Sequence, residues 1–365
     1  MPPPPGASPA RPGLPPDIGA CISPPDAQNR PMRWMTAALL AGLVAAVAIA
    51  RPLAASQGIA RQTVAPPDLA ALKAAYERDR SDARAAMDYV TGALRTGQPE
   101  LARPVLYGML SRPSALPSSV AAEAWFQMGH VHLNAQEYEE AVACWETVVR
   151  DHRGSDRASG AAINAASVLL QVIGDPDRAW ARLTAGLRDR TISGPHVELA
   201  HFLLFQIYVE RHEYANARGL LGSLPASGPR HDLIQDVIPV VLWKTGDEAA
   251  ARLKIEALFE GAAGDASALN NLAGTLSAHG VALDVAVASA ARALLLAGTR
   301  HDIWDTYAEA LFRSGQVAEA IEAEERAVAL ATAQKDQAEY RARLVRFKAA
   351  RKPPAPAAID SRLRR

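Results

Sequence analysis

The sequence has little cysteine and few aromatic residues. Only Cys21 and Cys144 occur in 365 residues, and a pair so widely separated fits no disulfide framework, zinc site or redox motif. Aromatic residues make up 5% of the chain although hydrophobic residues make up 49%, so the apolar fraction is mostly Ala and Leu. Many small apolar side chains with few β-branched runs favour closely packed helices over sheets.

The sequence also carries no net charge, because 39 Lys and Arg balance 39 Asp and Glu. No global field therefore points to nucleic acid or to an acidic substrate. The balance is uneven, since residues 341–365 contain nine basic residues and one acidic residue. We interpret this basic end as a solvated cap; contact with anionic lipid headgroups, where each basic residue contributes about 1 kcal/mol, is the alternative. No aromatic platform for nucleic acid accompanies these charges.

Motifs of catalysis are missing as well. The sequence has no Walker loop, dinucleotide fingerprint or nucleophile elbow. His212 and Glu213 begin like a zinc-protease helix, but Asn216 stands where the second histidine is needed, so one ligand is lacking. His130 and His132 are two residues apart and would point to different faces of a helix. We therefore expect no catalytic residue, no cofactor and no metal site.

Acidic pairs offer no catalytic site either. Glu139 and Glu140, like Glu324 and Glu325, are neighbours in sequence. A catalytic pair needs two carboxyl groups held in different environments and facing one substrate, whereas adjacent side chains on a helix diverge. We interpret both pairs as solvated helix faces, and we do not expect the protein to be an enzyme.

One long apolar run lies near the N-terminus. Residues 35–50 form an uncharged stretch of 16 residues between Arg33 and Arg51, and a membrane-spanning helix needs about 17 to 25. The upstream basic residues favour a cytoplasmic N-terminus with the following chain outside the cytoplasm. A signal peptide cleaved near residues 54–56 fits the same pattern if translation starts at Met32. A third interpretation is a hydrophobic helix of a cytoplasmic protein.

These features divide the chain into five segments. A Pro-rich segment, which we expect to be disordered, covers residues 1–31, and the anchor or signal segment covers 32–56. A linker follows at 57–67, a helical domain at 68–350 and a disordered basic tail at 351–365. Most of the chain therefore belongs to the helical domain.

A repeated pattern of small and bulky residues runs through the helical domain. In residues 122–156, bulky side chains recur with helical spacing around Gly129, and a second helical stretch carries Ala141 and Trp145. Alanines equivalent to Ala141 recur at separations of 34 to 39 residues. The full set is Ala102, Ala141, Ala179, Ala217, Ala251, Ala286 and Ala320.

This pattern resembles the tetratricopeptide repeat (TPR), a hairpin of two helices, A and B, with a period of about 34 residues. The resemblance covers about residues 83–333 and implies an all-α, right-handed superhelical solenoid of about seven hairpins. It places Gly129 and Ala141 where helices A and B cross, and His132 in the core. Turns between the two helices fall at Gly97, Gly174, Gly246, Gly280 and Gly315.

The ends of the solenoid and one proline lead to further expectations. A helix at 68–80 should precede the first hairpin, and residues 337–350 should form a capping helix with a polar outer face, because an uncapped repeat exposes an apolar face. One apolar helix would precede the whole solenoid. Pro239 occupies a crossing position in the fifth hairpin and should kink that helix.

The resemblance also implies a partner-binding groove. Repeat proteins bind along an extended concave surface, and amide and aromatic side chains on the A helices suit an extended peptide. The expected groove residues are Phe126, His130, Asn134, Asn164, Gln171, Phe202, Gln206, Glu210, Asp236, Trp243, Lys244, Asn270, Glu309 and Arg313. No cluster of Lys, Arg and Asn suggests a grip on a C-terminal carboxylate.

Two functions follow from these features. The first is a membrane-associated or exported scaffold that mediates protein–protein interactions through its groove, in the assembly or secretion of envelope components. Its partners would be a protein or peptide, and the membrane through the N-terminal segment; no nucleic acid is expected. The second is a cytoplasmic regulatory solenoid.

Overall fold

The structure is a computed structural model that describes residues 68–112 and 115–350, and every regular element in these ranges is a helix. The helices are α1 Leu69–Arg78, α2 Ala83–Arg95, α3 Pro99–Leu110, α4 Ser118–Asn134, α5 Tyr138–Asp151, α6 Ala158–Val168, α7 Pro176–Arg188, α8 His196–Glu210, α9 Tyr214–Leu220, α10 Pro229–Asp232, α11 Ile238–Lys244, α12 Glu248–Gly261, α13 Ala266–His279, α14 Leu283–Ala297, α15 His301–Arg313, α16 Val317–Leu330 and α17 Gln334–Ala350.

The segments predicted at 1–31, 32–56, 57–67 and 351–365 lie outside the described residues, and so does the apolar run at 35–50. Within the described ranges, none of the helices combines the length and the apolarity that a membrane crossing requires.

Seven helical hairpins follow one another along the chain. We number them 1 to 7; their A and B helices are α2/α3, α4/α5, α6/α7, α8/α9, α11/α12, α13/α14 and α15/α16. Each helix packs on the next, and the A helices of adjacent hairpins also meet, as α2 meets α4 and α13 meets α15. This consecutive packing is that of a solenoid and confirms the predicted all-α fold.

The crossing alanines are all completely buried. Each is the fourth residue of its B helix. In all but Ala102, its N–H bonds to the carbonyl four residues earlier, as Ala141 does to Glu137 at 3.0 Å. All seven are 0% exposed, namely Ala102, Ala141, Ala179, Ala217, Ala251, Ala286 and Ala320. The alanine pattern in the sequence therefore marks the closest approach of the two helices in each hairpin.

The turns between A and B share one feature. Each contains a residue of positive φ, including the five predicted glycines, and the turn of hairpin 6 has Ala282 as a second such residue. The residue after the first of these donates its N–H back into helix A, as Glu137 does to the His132 carbonyl at 2.9 Å, which is the bond of a Schellman cap. In hairpins 2 and 4, Gln136 and His212 occupy the positive-φ position, although that conformation favours glycine.

The A helix of hairpin 5 is broken rather than kinked, which corrects the expectation for Pro239. The four-residue α10 ends at Asp232, and α11 begins only at Ile238. Pro239 therefore lies in the first turn of α11. N–H groups in the first turn have no intrahelical partner, so proline loses no hydrogen bond there. As a result, α11 has 7 residues whereas the A helix α8 has 15.

The capping helix α17 closes the solenoid on hairpin 7. Phe347 is 0% exposed and stacks on Phe312 with ring centroids 4.4 Å apart. Arg343 pairs with Asp305 and Arg346 pairs with Glu309, so two basic residues of the cap meet acidic residues of α15. Much of the outer face of α17 is polar and exposed, as predicted.

Glu324 lies beneath this cap and corrects the sequence-based assignment of a solvated face. Its side chain is 0% exposed, and neither carboxyl oxygen has a hydrogen-bond partner among the described residues. Burial raises the pKa of Glu324 to about 8; nearby Glu309 raises it further and Arg346 opposes the change. The neighbouring Glu325 stays exposed and pairs with Lys348 at 2.8 Å.

We predict that Gly129→Ala destabilises the protein by about 1 to 3 kcal/mol. A Cβ at Gly129 would lie 2.4 Å from Nε1 of Trp145. That buried nitrogen is held by a 3.1 Å hydrogen bond to the Phe126 carbonyl. Urea denaturation followed by circular dichroism measures the change. The control is Gly108→Ala in α3, where a Cβ meets nothing within 4 Å; it should stabilise by up to about 1 kcal/mol. Equal changes in the free energy of unfolding for the two variants would contradict the predicted clash at Trp145.

We also predict that Glu324→Gln stabilises the protein at pH 7. The folded-state pKa of Glu324, about 8, lies above the ordinary value of 4.5, so folding requires proton uptake. The free energy of unfolding therefore falls as the pH rises from about 4.5 to 8. The gain at pH 7 should be about 3 kcal/mol and should vanish near pH 4.5. Denaturation across this pH range measures it, with the exposed Glu325→Gln as control. A gain that does not depend on pH would refute the assignment.

Candidate partner-binding groove

The A-helix segments of hairpins 2 to 7 carry the predicted groove residues. Those residues fall on α4, α6 and its continuation, α8, α11 and the turn before it, α13 and α15. We call this set of residues the A-helix groove. Their burial and contacts decide which of them can meet a partner.

The two phenylalanines are core residues, which corrects their assignment to the groove surface. Phe202 is 1% exposed and Phe126 is 9% exposed, and both belong to the largest hydrophobic cluster. The Phe126 ring faces Gly160 of the next A helix, where an added Cβ would lie 3.5 Å from it. Both side chains therefore join neighbouring hairpins and present little surface to a partner.

His130 is a buried imidazole at the edge of this cluster. Its ring lies 4.9 Å from Phe126 and 5.4 Å from Trp145, measured between centroids. Burial lowers the pKa of His130 to about 4, so the ring is neutral at pH 7. Its Nε2 is buried and has no hydrogen-bond partner in the described part of the chain. The neighbouring His132 is a core residue, as predicted, and its Nδ1 lies 2.5 Å from a carboxylate oxygen of Glu137.

Three amide side chains share this lack of partners. In Gln171 both Oε1 and Nε2 are buried without a hydrogen bond from the described residues, and the same holds for Nε2 of Gln206 and Oδ1 of Asn270. All three residues are half-buried. Gln171 lies in a π-helical turn, Leu169–Ile173, that continues α6. Each of these amides can accept or donate a hydrogen bond that the folded chain does not supply.

Other polar groove residues differ in how far their hydrogen bonds are satisfied. Asn134 is exposed, and its Nδ2 donates to the His130 carbonyl at 2.8 Å. Asn164 is half-buried on α6. Asp236 lies just before α11, and burial raises its pKa to about 6. Glu210, the last residue of α8, is exposed.

In the C-terminal half, several groove residues pair with one another or with the cap. Glu309 accepts a 2.7 Å hydrogen bond from Nε of Arg313 and also pairs with Arg346 of α17. The guanidinium carbon of Arg252 lies over the Trp243 ring, 4.9 Å from the ring centroid. Lys244 is exposed at the end of α11. Glu309 and Arg313 therefore have less free hydrogen-bonding capacity than their sequence positions suggest.

One cluster in the middle of the solenoid escaped the sequence analysis. Tyr214 brings its hydroxyl within 2.8 Å of Nδ1 of His212 and 2.9 Å of Nδ1 of His279. In the sequence, His212 stood out only as part of an incomplete zinc motif, and 65 residues separate Tyr214 from His279. His212 and His279 lie close together only because hairpin 6 packs near hairpin 4 in the folded chain.

Several residues of the A-helix groove hold hydrogen-bonding atoms without partners among the described residues. No group of three or more His, Cys, Asp or Glu that could hold a metal occurs in the residues described. Buried atoms without partners also occur elsewhere, as at Ser289 and Glu324. The unpaired atoms on His130, Gln171 and Gln206 differ in their arrangement. Each of these residues belongs to a different A-helix segment, and the three segments follow one another in hairpins 2, 3 and 4.

Comparisons with known proteins bear on the fold. No protein-family model matches the sequence, and no curated protein matches it. A tetratricopeptide repeat protein from Parabacteroides merdae is structurally similar over 72% of this chain and 98% of its own, with 12% identity and a TM-score of 0.51. The TPR2AB domain of yeast Sti1, in complex with pHSP90, covers 73% of this chain and 97% of its own, with 14% identity and a TM-score of 0.28.

A structure of the APC/C hetero-tetramer Cut9–Hcn1 is similar over 76% of this chain and 52% of its own, with 16% identity and a TM-score of 0.40. Identities this low concern the fold and not the activity. The Parabacteroides tetratricopeptide repeat protein is matched over almost its whole length, in agreement with the repeat that the alanine period predicts. The fold of this chain is therefore the tetratricopeptide-repeat solenoid.

Proposed function

We propose that this protein is a membrane-anchored or exported scaffold that binds a protein partner as an extended segment along the A-helix groove. The observation that carries the proposal is a set of three half-buried amide side chains, Gln171, Gln206 and Asn270, with hydrogen-bonding atoms that have no partner among the described residues. They lie on the continuation of α6, on α8 and on α13. The groove is thus prepared for hydrogen bonds that a ligand must complete.

The energetic argument concerns atoms that water does not reach. A buried donor or acceptor without a partner costs about 1 to 3 kcal/mol, and native proteins keep few of them. An extended peptide carries both N–H and C=O groups at every residue. Because adjacent helices lie about 8 to 10 Å apart and an extended chain advances about 3.3 Å per residue, one groove amide would meet about every third peptide residue.

The groove amides and the neutral His130 carry no charge, so they suit the peptide backbone rather than a charged side chain. Selectivity would come from the exposed groove residues Asn134, Glu210 and Lys244. Amide contacts to the backbone tolerate many sequences, which fits a scaffold for more than one partner.

The cellular setting rests on the apolar run at residues 35–50 and its flanking arginines. A membrane anchor or an export signal there would place the solenoid outside the cytoplasm, where it would support the assembly or secretion of envelope components. The alternative is a cytoplasmic regulatory solenoid with the same groove. The two differ in location and not in the way they bind.

We predict that Gln171→Leu with Gln206→Leu weakens partner binding about tenfold or more, because two hydrogen bonds of about 1 kcal/mol each are lost. The same change should leave the fold intact or slightly more stable, since it removes buried polar atoms without partners. The measurement is quantitative recovery of co-purifying proteins from native cells with the full chain as bait.

The matched control is Lys254→Leu with Glu256→Leu, which changes two exposed residues of the B helix α12. It should recover the same partners as the unchanged chain. Undiminished recovery by the groove variant, or an equal loss in the control, would count against the groove as the binding surface.

Location has its own test. We predict that the full chain resists carbonate extraction from membranes if residues 35–50 are an anchor, or appears outside the cytoplasm with a new N-terminus near residue 56 if they are a signal. Protease added to intact spheroplasts should degrade the solenoid in either case. A soluble, protected protein with its N-terminus intact would support the cytoplasmic alternative.

A further inference from the structure

Hairpin 4 makes a direct contact with hairpin 6. The Tyr214 hydroxyl, at the start of α9, lies 2.9 Å from Nδ1 of His279, at the end of α13. The same hydroxyl lies 2.8 Å from Nδ1 of His212 in the turn of hairpin 4. Other inter-hairpin bonds in the described residues join neighbours, as Arg103 and Glu137 do across 34 residues.

The short A helix of hairpin 5 makes this contact possible. Helix α11 has 7 residues, whereas α8 and α13, on either side of it, have 15 and 14. Tyr214 also packs against two hydrophobic clusters, one running from hairpin 2 to α11 and the other from α11 to hairpin 7. The tyrosine therefore lies where the two halves of the solenoid core meet.

His212 adopts a conformation that is unfavourable for its residue type. Its φ is 59°, and five of the six equivalent turn positions carry glycine. A side chain in this region costs conformational energy that glycine avoids. A strained residue persists where the surroundings give it a role, and here the imidazole reaches the Tyr214 hydroxyl.

We propose that His212, Tyr214 and His279 form an acid-sensitive latch that joins hairpins 4 and 6 across hairpin 5 and holds the two halves of the solenoid together. The latch is a property of the fold and does not depend on the identity of any partner. Its opening would change the relative position of the groove residues before and after hairpin 5.

The latch is strongest when His279 is neutral. A phenol donates one hydrogen bond and accepts another, so one Nδ1 can accept the Tyr214 proton while the other donates to the phenol oxygen. A protonated His279 cannot accept from Tyr214, and its charge would be buried within reach of Lys244 and Arg313. The His212 ring lies 6.1 Å from the His279 ring.

The direction of the pH effect follows from His279. Its burial, and then the charges of His212, Lys244 and Arg313, lower the pKa of His279 to about 4 from an ordinary 6.5. Well above pH 6.5, His279 is unprotonated in both the closed and the open latch, and the latch is at full strength. Below pH 6.5, His279 takes up a proton in the open latch first. The equilibrium constant for opening should therefore increase about 20-fold between pH 7 and pH 5.

Other groups titrate in this range, including Glu324 beneath the cap, and must be separated from the latch. Asp236, before α11, has its pKa raised to about 6 by burial, so acid stabilises its buried form and opposes opening. His130 has a lowered pKa but lies on α4, far along the chain. The readout is therefore residues 276–281, the end of α13, and not the segment around Asp236.

The test is hydrogen–deuterium exchange by mass spectrometry on the full chain, corrected for intrinsic rates. Tyr214→Phe should speed exchange at residues 276–281 about tenfold at pH 7 and remove most of the pH response that the unchanged chain shows. The control is Tyr138→Phe, because Tyr138 begins α5 as Tyr214 begins α9. Exchange as slow as in the unchanged chain, or equal loosening by the control, would overturn the latch.

A second pair of variants separates strain from the latch. His212→Gly and Gln136→Gly both place glycine at a positive-φ turn. Gln136→Gly should slow exchange around its own turn or leave it unchanged. His212→Gly should speed exchange at residues 276–281 despite the relieved strain. If His212→Gly protects those residues instead, the imidazole has no latching role.

Discussion

The two helices of each hairpin cross at an alanine that has no exposed surface, and this close approach supports the rest of the solenoid. Because the crossing residue ends at its Cβ, larger side chains such as Trp145 and Leu183 fill the space between hairpins. Each hairpin packs mainly on its neighbours. A displaced B helix would therefore shift the hairpins that follow it, and with them the surface that the A helices present.

The stability of this arrangement comes from buried apolar area more than from charge. Several arginine–carboxylate pairs link neighbouring hairpins, as between Arg178 and Glu139 or between Arg182 and Glu146. The first pair is exposed and the second is half-buried, and exposed pairs contribute about 0 to 1 kcal/mol. Buried polar atoms without partners, as on Gln171 and Gln206, lower stability instead.

The repeat is least regular at hairpin 5. Two of the hydrophobic clusters of the core meet there, at α11 and Tyr214. In a uniform solenoid, a hairpin would separate its two neighbours completely. Here the shortened A helix lets hairpin 4 reach hairpin 6, so the middle of the protein combines a short helix with a polar contact of its own.

The sequence predicted features that depend on local geometry. Alanines at a fixed spacing marked the helix crossings, and five glycines marked the turns, because each requirement concerns one residue and its own backbone. Gln136 and His212 escaped notice as turn residues, since side chains seldom adopt positive φ. Pro239 was expected to kink its helix but lies in the first turn of α11, because the chain breaks before it.

By itself, then, the sequence determined the helical class, the period and the crossing residues, because these follow from side-chain size repeated along the chain. Only the tertiary structure decided which side chains are covered. Phe126 and Phe202 lie in the core, Glu324 lies beneath the cap, and Gln171 holds an amide without a partner. Burial is set by the neighbouring hairpin, about 34 or more residues away in sequence, and no local pattern records what that neighbour covers.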